Sequence, residues 1–186
     1  MQDSIWDSTL AAFRDRLATV ESVPAGVSTA GVGAAFALGL LTKVLKIASK
    51  RKDFQGDRLF VAALIEDATD ESANLSRLAE EDIAAFRQRS PAVIEVPLNI
   101  VRGAARGVAI CEKARSLVHA AVAPDLEAAS TLLAAAARAA LFSLEANLEQ
   151  LPAGDPYREQ VTAEARQLLQ KCETLMPPCP RFRADR

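Results

Sequence analysis

Aromatic side chains make up only 5% of this 186-residue chain, and histidine occurs once. No Asn-Gly or Asp-Gly pair separates alternating apolar runs, which excludes a sandwich or barrel built from short hairpins. Cysteine is scarce: Cys111, Cys172 and Cys179 are an odd number with no close pair, and one histidine completes no familiar zinc spacing with them. They predict a reduced cytoplasmic chain with no metal. Charge of either sign is not in excess, since the formal net charge is −2. That balance excludes a polyanion binder with an all-basic surface, and 50% hydrophobic residues exclude a disordered chain. A basic leader is also missing, because Asp3 and Asp7 stand where an export signal would be positive. No nucleophile beside a histidine, Walker loop or dinucleotide fingerprint is present.

What the chain has is alanine, 37 residues of it, the side chain that loses least on entering a helix. Apolar spacing of three and four predicts an all-α fold, an antiparallel bundle of about six helices occupying 1–176 as one domain, with 177–186 a flexible tail. The segments run from about Ser8 to Val20, Ser28 to Lys50, Asp57 to Arg89, Val93 to His119, Pro124 to Leu151 and Pro156 to Leu175. Ser28 is expected to cap the second, and Pro97 to kink or restart the fourth. Residues 23–42 carry no charge and have the length of a membrane span. Their glycines and hydroxyls make them weakly hydrophobic, so they are read as a core helix and not a membrane anchor. A helix uncharged all round must be surrounded on all sides, which predicts a homodimer or higher oligomer.

Three features carry possible chemistry. The turn VPAGVST leads a proline, a glycine and two hydroxyls into a helix start, where free N–H groups bind an anion or carbonyl oxygen, or are simply capped. Asp82 falls on the apolar stripe Val61, Leu64, Ala68, Leu75, Ala79 and Phe86. A carboxyl turned inward suits proton transfer, or else forms a buried ion pair with a cation on another helix. Lys50, Arg51 and Lys52 follow Lys43 and Lys46 at a helix C-terminus, a solvated end or a mouth for a polyanionic ligand tail. With no interleaved aromatics the run does not read as a nucleic-acid site.

In order and spacing these pieces resemble the formiminotransferase-cyclodeaminase C-terminal family, which includes stand-alone methenyltetrahydrofolate cyclohydrolases. The resemblance runs from about Leu10 to Leu148 through TLAAFRDRLA, PAGVSTAGVGAAFALGLL, SKRKDFQG, Asp82 to Phe86, Val96-Pro97, Pro124 to Ala129 and SLEANL. Departures fall at the family's glycine triplet, here Ala25, Gly26 and Val27, and at Ser143 and His119 where the family has asparagine. The link between Phe86 and Val96 is also shorter than usual. The resemblance implies one-carbon chemistry on a tetrahydrofolate derivative, by cyclodeamination or by cyclohydrolysis, with no permanently bound cofactor. Asp82 would transfer the proton. Pro24, Gly26 and Ser28 would seat the folate, Asp125 and Asn147 would bind its polar ring edge, and Lys50, Arg51 and Lys52 would attract its glutamate tail. The competing expectation is a catalytically degenerate homodimer of the same fold that binds a ligand or serves as a scaffold.

Overall fold

Asp57 and Asp155 each accept two backbone N–H bonds at a helix start, and Thr9 accepts one, so three of six helices begin on side-chain caps. The structure, a computed structural model, describes residues 4–176. The tail assigned to 177–186, with Cys179, lies outside the described residues. Six helices follow one another: α1 (Leu10–Leu17), α2 (Gly26–Lys50), α3 (Arg58–Gln88), α4 (Ala92–Ala114), α5 (Ala123–Leu148) and α6 (Pro156–Leu175). Among the described residues there is no strand, and the all-α expectation holds.

Short connections make α2 to α5 an antiparallel square in which α2 packs on α3 and α5, α4 lies diagonally opposite, and α6 runs along α4 and α5. Leucines of α2, α3 and α5 fill its centre, among them Leu38, Leu41, Leu75 and Leu133, all fully buried. Close approach depends on bare Cα atoms. At Gly31 a Cβ would lie 3.0 Å from the Ala79 Cβ, and at Gly107 it would meet Leu133 at 2.9 Å. Burial pushes the Cys111 thiol up to about 12, so it stays protonated as a core side chain.

Several local expectations are corrected. Helix α1 is shorter than 8–20, and of the apolar residues Leu10, Phe13, Leu17 and Val20, which recur there at helical spacing, only Phe13 is buried, while Leu10 and Val20 are exposed. Phe86 is exposed as well, although Ile83 and Ala85 beside it are buried, so it lies on the outer side of a turn of α3 that is still covered. Ser28 is not the cap of α2: the helix starts two residues earlier at Gly26, and Ala25 supplies no side-chain bond. Helix α4 runs through Pro97 without restarting. Proline has no N–H for the carbonyl four residues back, and that carbonyl, Val93 O, accepts instead from Asn147 Nδ2 at 2.6 Å. Asn147→Leu should therefore orphan the carbonyl and cost about 1–3 kcal/mol, read from denaturant unfolding.

Helices α2 and α5 are each long and apolar enough to cross a membrane, but 56% and 44% of their most apolar windows are buried in the bundle.

Candidate functional site

The first N–H groups of a helix have no partner inside it. In α2 that need is met from a distance. Asp82 of α3 accepts from Ser28 N at 3.0 Å and from Ser28 Oγ at 2.5 Å through the same oxygen, Oδ2. Ser28 is fully buried, Pro24 is buried behind it, and Asp82 is half-buried. A Cβ on Gly26 would lie 3.8 Å from Ser143 Oγ, so the C-terminal part of α5 forms the next wall. Pro24, Gly26, Ser28, Asp82 and Ser143 thus meet at one end of the bundle, and Asn147 stands one turn beyond Ser143. Ser143 was passed over as a candidate, although its four-residue spacing from Asn147 put both on one side of a helix.

Burial raises the Asp82 carboxyl above its ordinary range, and the two Ser28 hydrogen bonds hold it partly back. Among the described residues no cation pairs with Asp82. Its neighbours are spent elsewhere: Glu80 accepts from Ser4 Oγ and Ile5 N, tying down the N-terminal segment, and Glu81 pairs with Arg77. The raised value has a sign for stability. The folded state holds this proton more tightly than the unfolded chain, so the contribution is complete below about pH 4 and is lost as pH rises through the raised value. Lowering pH from 7 toward 4 should therefore shift melting temperature in favour of wild type relative to Asp82→Asn.

The remaining predicted residues stand apart. Lys50 and Lys52 are exposed at the far end of α2, about 36 Å from Gly26 at the rise of a helix. Arg51 is held by Asp53 through Nε at 2.9 Å and Nη2 at 2.6 Å. That pairing raises Arg51 and lowers Asp53, so both stay charged and the guanidinium faces its own neighbour's carboxylate. Asp125 lies in the first turn of α5, which runs antiparallel to α2 and so begins at this same far end. Within one chain Pro24, Gly26, Ser28, Asp82 and Asn147 stand at one end of the bundle, and Lys50, Arg51, Lys52 and Asp125 at the other. A cavity of about 280 Å³ at this end is lined by Arg51, Asp53, Phe54 and His119 among others. The larger cavity, about 640 Å³, opens between α5 and α6 and contains neither Asp82 nor Ser28.

The family model for formiminotransferase-cyclodeaminase matches residues 9–93 and 87–167. The chain belongs to that family. The two matched segments meet at 87–93, the link from α3 to α4. The solved formiminotetrahydrofolate cyclodeaminase of Thermotoga maritima is similar in fold, with a TM-score of 0.85 at 20% identity over 92% of this chain and 93% of that one. No curated protein matches the chain. Where the family has its glycine triplet, Val27 is packed into the core and Ala25 is exposed, so Gly26 alone offers a bare Cα to Ser143.

Proposed function

We propose that this family member carries out one-carbon chemistry on a tetrahydrofolate derivative in the cytoplasm, as a formimidoyltetrahydrofolate cyclodeaminase or a methenyltetrahydrofolate cyclohydrolase. The observation that carries the reading is Asp82, a half-buried carboxyl with raised proton affinity and no cation, beside the start of α2. In ring closure, a ring-linked N–H nitrogen attacks the formimino carbon to give a tetrahedral centre, and its proton passes to the imino nitrogen, which becomes an amino group. Protonated Asp82 gives its proton to the amino group, whose bond to carbon breaks to release ammonia. In hydrolysis, water adds to the bridging carbon and passes a proton to the Asp82 carboxylate, which returns it to the departing nitrogen as one carbon–nitrogen bond opens, while the hydroxyl proton leaves to solvent and the carbon becomes a formyl group. Pro24, Gly26 and Ser28 shape the seat, with Ser143 and Asn147 along its side. In both reactions the helix start favours a negative or polar group held against it.

A second reading has its own support: both Ser28 donors are already spent on Asp82, as they would be in a structural cap of a non-catalytic bundle. The test supplies the wild-type chain with the methenyl and formimino substrates separately. Loss of methenyl absorbance reports hydrolysis, and its gain with release of ammonia reports ring closure. Neither signal at saturating substrate would leave the structural reading.

A further inference from the structure

Helix α3 ends on a residue type that its backbone does not favour. Arg89 takes φ 49° and ψ 40°, and among the described residues it is the only non-glycine with a positive φ. Ser90 N donates back across it to Ala85 O at 3.0 Å, which closes the helix. Such a closing position ordinarily goes to glycine, because a Cβ is unfavourable there. The chain thus accepts backbone strain to hold a guanidinium at this point, and strain of that kind gathers at functional sites.

Asp82, Phe86 and Arg89 follow one another at spacings of four and three, so they line one side of α3. Asp82 is half-buried against Ser28, Phe86 is 51% exposed, and Arg89 is exposed. That side therefore opens outward from carboxyl to ring to guanidinium. Arg87, five residues after Asp82, projects to another side. From Ile83 to Ile94 the chain carries these two arginines and no acid. Neither forms an ion pair among the described residues, so both charges are available to a ligand.

About 10 Å of helix separates Asp82 from Arg89, with Phe86 between them. A folate carries its groups in a matching order: the reacting one-carbon centre, the flat aminobenzoyl ring, then the carboxylates of glutamate. Lys50 and Lys52, the cations expected to attract that tail, stand at the other end of their own chain.

We propose that Phe86 and Arg89 form the tail subsite of the Asp82 site. The Phe86 ring packs on the aminobenzoyl ring, and the Arg89 guanidinium donates to a glutamate carboxylate. The subsite rests on the folate reading of Asp82 and adds to it the part of the substrate that this chain selects. Neither residue touches the reacting carbon. Their loss should therefore raise KM and leave the ionisation of Asp82 in the pH profile where it was.

Equilibrium binding of two ligands tests this without turnover: 5-formyltetrahydrofolate, and its diamide, in which both glutamate carboxyls are carboxamides. Wild type should bind the charged ligand about 10-fold or more tighter. Arg89→Gly should bind both ligands as wild type binds the diamide. It should also melt no lower than wild type, because glycine takes the left-handed conformation without strain. A damaged fold would lower affinity and melting temperature together. Phe86→Ala should weaken both ligands about 5-fold, and Arg87→Ala should keep the full preference for charge. A preference that survives Arg89→Gly, or one that vanishes in Arg87→Ala or in Lys50→Ala/Lys52→Ala, would overturn the subsite. A wild type that binds both ligands equally would remove the subsite alone, whereas one that binds neither would remove the folate reading and the subsite with it.

Discussion

Asp82→Asn is expected to lower turnover by about 100-fold or more while leaving the fold intact. Asparagine keeps the shape and can still accept from Ser28 N and Oγ through its own oxygen, but it cannot give up or take a proton at that position. Had Asp82 been paired with a buried cation, the same change would have stranded that cation at a cost of about 3 kcal/mol or more. Among the described residues the partner is Ser28 and no cation stands beside the carboxyl. Unfolding free energy should stay within about 1 kcal/mol of wild type. A large loss of stability together with unchanged turnover would assign Asp82 to capping alone.

Gly31→Leu should be the most damaging single change to the bundle, at about 3 kcal/mol, or about 10 °C in melting temperature. A Cβ there lies 3.3 Å from the Ala79 Cα and 3.3 Å from the Leu75 carbonyl oxygen, both backbone atoms of α3 that no rotamer change can move. Helix α2 would have to lift away from α3. Because Ser28 lies one turn earlier on the same helix, that displacement also pulls it from Asp82, so turnover should fall with stability. Calorimetry on the purified variant gives the first number, and the substrate assay gives the second. A variant that melts with wild type would mean that α2 and α3 are not held this closely.

Much of this was legible before the structure because it depends on local rules. The starts of α3 after Asp57 and of α6 at Pro156 were placed by local sequence, Pro124 falls in the first turn of α5 as expected, and the three-and-four spacing of leucines marks which faces turn inward. Asp82 was found by the same rule, as a carboxyl on an apolar stripe. Its partner was not, because a hydrogen bond between residues 54 apart depends on the crossing of two helices, and helical periodicity is silent about crossings. Asn147 illustrates the same limit. Its amide nitrogen serves a carbonyl freed by Pro97, which follows from proline chemistry only once α4 is known to continue through it. Lys50, Arg51, Lys52 and Asp125 were joined to Asp82 by resemblance, and helix length alone separates them by tens of ångströms within a chain. Exposure of Phe36 and Phe142 could not be read from sequence either, since an apolar residue at helical spacing looks the same on an inward or outward face.

The claim that Asp82 moves a proton is tested most directly by the pH dependence of kcat/KM in wild type and in Asp82→Asn. For wild type the profile should contain an ionisation above the ordinary carboxylate range, in the direction that burial shifts Asp82. If Asp82 acts as the acid, activity falls as pH rises through it, and if as the base, activity rises there. The residual activity of Asp82→Asn should lack that ionisation altogether. The same ionisation in both proteins, at comparable activity, would contradict the account.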